Sequence, residues 1–220
     1  MLEPKNKYAI IWDMDGVLVD TGEYHYIAWK KTFDELKAPF SREQFQATFG
    51  MNNAGILEII CGKKLPPDQE QRISDRKESL FREAVKGKAK LLLGVKKMLK
   101  NFSEWKLKQA IASSAPPKNI EVLVEELRIG KYFDAIVSGF DIPGKPDPGV
   151  FLKTATQLMV EPERCIVIED AVAGVEGAKN AGMKCIAVTT TNTPDVLSKA
   201  DLIFESLEGL KRHSLFELLE

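Results

Sequence analysis

The chain has 220 residues, room for one large domain or for a medium domain with a smaller insert. With 44% hydrophobic and 29% charged residues it has an ordinary globular composition, and a net charge of −1 gives no reason to expect nucleic acid or an anionic membrane as partner. No apolar run of signal-peptide length follows the N-terminus, and the longest apolar stretches fall far short of a membrane span. Cys61, Cys165 and Cys185 are widely spaced and odd in number, which reads as buried thiols in a reducing compartment and hence a cytoplasmic protein. The lysines are scattered. Their densest group, residues 86–97, alternates with Leu91, Leu92, Leu93 and Val95 and reads as a solvated helix face beside a core stripe.

The first predicted strand is the apolar run 8–12, which ends at Asp13. Residues 21–87 then hold no convincing strand; 22–36, 41–49, 53–61 and 67–85 read as helices. Ser41 is the N-cap of the second, with Gln44 at the capping-box position, and Pro67 suits the first turn of the longest. From there strands and helices alternate. Helix 94–102 precedes strand 108–112, helix 118–127 precedes strand 135–137, and helix 149–159 precedes strand 165–168. Helix 171–181 leads to strand 185–188, with 202–204 a weaker strand. Each strand is a continuous apolar run, as expected where both faces of a parallel sheet are covered. The order implies a doubly wound α/β core, residues 1–20 and 88–220, with a helical insert at 21–87 after the first strand. Right-handed crossovers put the strand C-terminal ends on one edge, where ligands bind.

Four segments on that edge carry chemistry. In Asp13-Met14-Asp15-Gly16 two carboxylates stand just past a buried strand, where a carboxylate must be solvated, paired or bound to metal. One Asp can attack phosphorus and the other can pass a proton to a leaving group; the plainer alternative is a surface turn. Ser113 and Ser114 follow a strand and precede a helix led by Pro116 and Pro117. A hydroxyl beside free amides suits a phosphate, or simply caps a helix. Lys145 is confined between Gly144 and Pro146, where an ammonium can balance carboxylates and a transferring phosphoryl group. The glycine spacing of a Walker A loop is absent. Glu169 and Asp170 end another strand; carboxylates converging with Asp13 need a cation, and hard oxygen ligands select Mg²⁺. Alternatively, Asp170 only N-caps the helix that follows.

Together these segments resemble, in order and essentially end to end, the four motifs of haloacid-dehalogenase-superfamily hydrolases with a helical cap, close to the β-phosphoglucomutase and sugar-phosphatase group. The resemblance implies Asp13 as nucleophile, Asp15 as acid/base, Ser113 as holder of the phosphoryl group and Lys145 as neutraliser of charge. It implies Mg²⁺ held by Asp13, Asp170 and the backbone carbonyl of Asp15, with Glu169 supporting the metal site. Asp15 argues for phosphoryl transfer, because dehalogenase members lack that second acid. No imine-forming cap lysine of the phosphonatase type is identified. The family's substrate choice lies in the cap.

Residues 21–29, with His25, look like the start of the cap in both mutases and sugar phosphatases, and Ser114, His25, Asn53 and Lys77 become substrate-binding candidates. A mutase cap places an arginine near the start of its second loop, whereas residues 50–56 here contain no basic residue. The expected function is therefore a Mg²⁺-dependent phosphatase of small phosphorylated metabolites. A hexose-phosphate mutase and a catalytically silent binding module are the alternatives. Nothing in the sequence demands more than a monomer.

Overall fold

The apolar runs that alternate with amphipathic helices build one sheet. The computed structural model describes residues 7–49 and 51–219. In chain order the elements are β1 (Ala9–Trp12), α1 (Gly22–Glu35), α2 (Arg42–Thr48), α3 (Asn53–Cys61) and α4 (Pro67–Val85). There follow α5 (Val95–Glu104), β2 (Lys108–Ser113), α6 (Pro117–Leu127), β3 (Ala135–Ser138) and α7 (Gly149–Leu158). The chain ends with β4 (Cys165–Glu169), α8 (Val172–Asn180), β5 (Lys184–Val188), β6 (Leu202–Phe204) and α9 (Arg212–Glu217). All six strands are parallel, in the order β3-β2-β1-β4-β5-β6. The strand order reverses between β1 and β4, so the ligand-binding crevice of an open α/β sheet falls at their C-terminal ends.

Two-residue alternation divides β1 between the faces of the sheet. Ala9 and Ile11 join a core with Val137, Phe151, Val167 and Cys185. On the other face Trp12 stacks at a tilt on Phe102 and donates its indole N–H to the buried Gln109 carbonyl. That amide in turn donates to Leu99 O and Ser103 Oγ, so this buried polar group is satisfied.

The chain forms two compact units, Met1–Asp20 with Lys90–Glu220, and Thr21–Ala89. The second is the helical insert. Its core is aromatic, with Trp29, Phe33, Phe40 and Phe45 packed around Ile56, Leu57 and Ile73. Ser41 makes the full capping box with Gln44, and Pro67 occupies the first turn of α4. Among the described residues no helix is long and apolar enough to cross a membrane. The first six residues, Glu220 and Gly50, the first residue of the 50–56 stretch without a basic residue, lie outside the described residues.

Three sequence expectations are corrected. Residues 86–94 are not a helix face: Leu92 N donates to Leu18 O, and Leu91 forms a bridge with Val19, so this stretch pairs with the end of the turn that follows β1 rather than winding. Leu93 is left 67% exposed. The edge strands are not covered on both faces, since Ile136 of β3 is 45% exposed and β6 is half-buried; an edge strand lacks a neighbour's side chains on one flank. Cys165 and Cys185 are buried, and burial pushes both thiols up, but Cys61 is exposed at the end of α3.

Candidate active site

The register sets the site. Trp12 lies level with Ile111 of β2 and Ile168 of β4, and Asp13 N donates to Ile168 O at 3.0 Å. The residues just beyond, Asp13, Ser113 and the pair Glu169-Asp170, therefore emerge side by side from three adjacent strands.

The chain after Asp13 turns tightly. Leu18 N and Val19 N donate to Met14 O, Gly16 N donates to Val19 O, and Met14, Val17, Leu18 and Val19 are buried. Gly16 has φ +86°, and a β-carbon there would come within 2.0 Å of Asp170 Oδ2. Glycine is thus required both for the turn and for the approach of the Asp170 carboxylate.

Lys145 joins the carboxylates. Its ammonium donates to Asp13 Oδ1 at 2.5 Å and to Glu169 Oε1, and sits 5.0 Å from the centre of the Phe151 ring. Burial alone would lower its pKa, but Asp13 and Glu169 outweigh that and raise it, so it stays charged. The 144–149 loop is held in turn: Gly149 N donates to Asp147 Oδ1, and Asn180 Nδ2 donates to Pro146 O. The Lys145–Pro146 peptide is cis.

Glu169 is fully engaged. While Oε1 meets Lys145, Oε2 accepts the N–H groups of Asp170 and Ala171 at 2.8 and 3.0 Å. Gly174 of α8 leaves the space, since a β-carbon there would come within 1.8 Å of Glu169 Oε1. Asp170 is not an N-cap, because Ala171 holds that position and makes no side-chain cap. Instead Asp170 Oδ2 accepts the Thr191 hydroxyl, and Asp170 O accepts Asn192 Nδ2 at 3.0 Å. Ser113 does not cap α6 either, as Pro116 is the N-cap; its Oγ accepts Ala115 N at 3.1 Å in a turn, and the neighbouring Ser114 is exposed.

Carboxylate oxygens of Asp13, Glu169 and Asp170 lie within 4.8 Å of one another, all three residues buried. Burial pushes the Asp13 carboxyl well above the usual range; Lys145 opposes the rise, and Glu169, Asp170 and Asp15 add to it. Burial likewise pushes Asp170 up to about 8, with Glu169 adding. One ammonium against three converging carboxylates leaves negative charge that a divalent cation would offset. The all-oxygen set suits a hard ion such as Mg²⁺. Because N–H donors already meet both Glu169 oxygens, Asp13 and Asp170 are the carboxylates left for direct contact. The Asp15 carboxylate is not part of this grouping.

The other candidates lie in the helical insert and form a cluster of their own. Lys77 Nζ is 2.9 Å from His25 Nδ1 and donates to Glu78 Oε1 at 2.8 Å, and Asn53 Nδ2 donates to the same oxygen at 2.8 Å. Lys77 and Glu78 are 3% and 6% exposed, and the His25 ring stacks on Phe81 with centroids 4.0 Å apart. Burial would raise the Glu78 pKa, but Lys77 and His25 outweigh it and the carboxyl is held below its usual value. Glu78, Thr191 and Asn192 were missed in the sequence. Thr191 and Asn192 carried one usable signal, since they follow β5 on the same sheet edge.

A parallel sheet whose switch point carries an aspartate, a lysine between two acids and a buried cluster of three carboxylates fits an enzyme centre of the phosphoryl-transfer class. Comparison with known proteins agrees. Residues 10–188 match the family described as haloacid dehalogenase-like hydrolase. The chain is 34% identical over 217 residues to the β-phosphoglucomutase of Bacillus subtilis (strain 168), covering 95% of this chain and 94% of that protein. It is 31% identical over 183 residues to the phosphorylated carbohydrates phosphatase of Thermotoga maritima, covering 81% and 83%. A crystal structure of β-phosphoglucomutase from Clostridium difficile superposes with a TM-score of 0.86 at 27% identity, covering 96% of each chain. The chain belongs to the haloacid dehalogenase-like hydrolase family and is a phosphoester hydrolase or phosphotransferase of that type.

Proposed function

We propose that the protein is a Mg²⁺-dependent phosphatase of small phosphorylated metabolites, sugar phosphates above all, working through a phosphorylated Asp13. The observation that carries the reading is Lys145 bridging Asp13 and Glu169 beside Asp170. Its ammonium opposes the protonation that burial favours at Asp13 and fixes the carboxylate that would attack phosphorus.

Asp13 attacks the phosphomonoester and the P–O bond to the leaving group breaks. Asp15 protonates the leaving oxygen, then takes a proton from the water that attacks the aspartyl-phosphate. Lys145 and the Ser113 hydroxyl hold equatorial phosphoryl oxygens. Asp13, Asp170 and the Asp15 backbone carbonyl would hold Mg²⁺, which when bound would supply electrostatic stabilisation of the charge on the transferring group. The buried free thiols Cys165 and Cys185 fit a reducing compartment such as the cytoplasm.

The likeness to a β-phosphoglucomutase favours a second reading, in which the phosphoryl group returns to a sugar. That chemistry needs a second anion site, which arginine usually provides. The insert loop 50–56, near whose start the mutase pattern places an arginine, offers no basic residue but neutral amides such as Asn53, and the buried cation Lys77 is paired with Glu78. This supports hydrolysis. Phosphate release from hexose monophosphates and glucose 1-phosphate isomerisation, assayed together with and without a bisphosphate primer, test the choice. Release should be the faster; primer-dependent isomerisation faster by roughly tenfold, about 1.4 kcal/mol in barrier, would replace the phosphatase by the mutase.

A further inference from the structure

The loop after β5 carries no residue that the proposed mechanism uses, yet it grips one that the mechanism needs. Asp170 is 2% exposed, and its carboxylate is confined on one side by the bare Cα of Gly16. On another side stands the Thr191 hydroxyl, donating to Asp170 Oδ2. Among the described hydrogen bonds this is the one made to that carboxylate.

The loop also decides which acceptor the hydroxyl takes. Thr191 Oγ1 lies within reach of two oxygens of Asp170, the carboxylate Oδ2 and, at 3.2 Å, the backbone O. A hydroxyl has one proton to give. Asn192 Nδ2 donates to Asp170 O at 3.0 Å and also to Thr191 Oγ1 at 3.0 Å. One of the two lone pairs on the backbone oxygen is therefore taken, as is one on the threonine oxygen. Both contacts turn the proton of Thr191 toward Oδ2. The carboxylate is fixed by one oxygen, and Oδ1 is left for a cation shared with Asp13.

We propose that Thr191 is a positioning residue of the Mg²⁺ site, its hydroxyl orienting the Asp170 carboxylate, with Asn192 orienting Thr191. The proposal rests on the reading of Asp13 and Asp170 as Mg²⁺ ligands. Groups that orient a ligand typically contribute about 10–100-fold to metal affinity. Thr191 is itself exposed, so exchanging its side chain leaves the core untouched.

The test is calorimetric titration of the metal-free protein with Mg²⁺ alone, on the parent, Thr191→Val and Thr191→Ser, with melting temperatures taken in chelator. Valine keeps the shape without the donor; serine keeps the donor. Thr191→Val should bind Mg²⁺ at least about fivefold more weakly than the parent, a conservative threshold below the usual range for such groups. Thr191→Ser should stay within that margin, and all three should melt alike in chelator. A Thr191→Val affinity inside the margin overturns the proposal. So does a serine variant as weak as the valine one, or a fall in metal-free melting temperature for valine alone, which would mark a purely structural role. A parent that binds no Mg²⁺ overturns the metal reading itself and this inference with it.

Discussion

Lys145 reaches Asp13 from 132 positions further along the chain, and its ammonium lies between Asp13 Oδ1 and Glu169 Oε1. All three side chains are at least nearly nine-tenths buried, at 11%, 10% and 1% exposure. A buried pair of this kind is weak support for stability, because desolvating its charges offsets most of the attraction. What it does provide is a fixed direction for the Asp13 carboxylate and a positive charge that opposes the protonation burial favours there.

Replacing the lysine should separate those roles. In Lys145→Met the apolar stem is kept and the charge is lost, so Asp13 gains a proton more readily and the equatorial oxygens lose a partner. Turnover should fall by about 10²–10³-fold, as when one preorganised donor is removed. Melting in chelator should fall more than melting in Mg²⁺, since the cation takes over part of the missing charge. Turnover within tenfold of the parent would remove Lys145 from the mechanism.

Asp13→Asn should abolish turnover, by about 10⁴-fold or more, because an amide cannot attack phosphorus. Its effect on stability runs the other way. Burial and three neighbouring acids disfavour the Asp13 charge more than Lys145 favours it. In chelator at pH 8 the neutral variant should melt no lower than the parent. A lower melting temperature there would mean that the Lys145 pair, and not burial, dominates.

The same charges give the metal-free protein an inverted pH profile. Asp170 is pushed up to about 8 by burial, and Asp13 is raised as well. The unfolded chain releases these protons near pH 4, as a free Asp does at about 3.9. Between those limits the folded state binds more protons, so stability is complete below about pH 4 and declines as pH rises toward 8. Glu78 and Asp201 are lowered; what they contribute is present above their unfolded pKa and is constant across this window. Melting in chelator should therefore be lower at pH 8.5 than at pH 5.5. Asp170→Asn should flatten the difference, and saturating Mg²⁺, which binds the ionised site, should do the same. A profile that rises with pH in chelator would contradict the burial of these groups.

Much of the core was legible in the sequence because parallel strands buried on both faces read as unbroken apolar runs. β1 and β4 are such runs, and the residues at their ends carry the acids. β3 read as such a run and β6 as a weaker one, yet both sit at the edges, since sequence order does not reveal which strand lacks a neighbour. Asp13, Lys145 and Glu169 stood out because an acid or a confined lysine after a strand is unusual. Glu78 did not, because it sits in a charged helix where one more glutamate looks solvated; only tertiary packing leaves it 6% exposed beside Lys77. Thr191 was hidden for a similar reason, as a threonine in a run of three carries no chemistry until its partner is known.

Gly16 offers the sharpest test of how closely the two acidic segments fit. At φ +86° any L side chain is strained, at a cost of about 1–2 kcal/mol for the left-handed region. Its β-carbon would also stand 2.0 Å from Asp170 Oδ2 and 2.6 Å from Cγ, distances no contact tolerates. The Asp170 carboxylate cannot retreat freely, because the Thr191 hydroxyl holds its Oδ2 while Asn192 holds the backbone carbonyl of the same residue. The strain must then move either the turn carrying Asp15 or the carboxylate itself. Gly16→Ala should lower stability by about 1–3 kcal/mol, within the range of substitutions at special backbone positions. Its effect on Mg²⁺ should be larger in proportion, with affinity down by about tenfold or more, as expected when ligand orientation is lost. Asp170→Ala supplies the control, since it removes both the ligand and the clash. In the double variant Gly16→Ala/Asp170→Ala the stability loss from alanine 16 should shrink toward the backbone term alone. If alanine 16 costs the same with and without the Asp170 side chain, the two residues are not in contact. The close approach that brings the carboxylate into the buried acidic cluster would then be wrong.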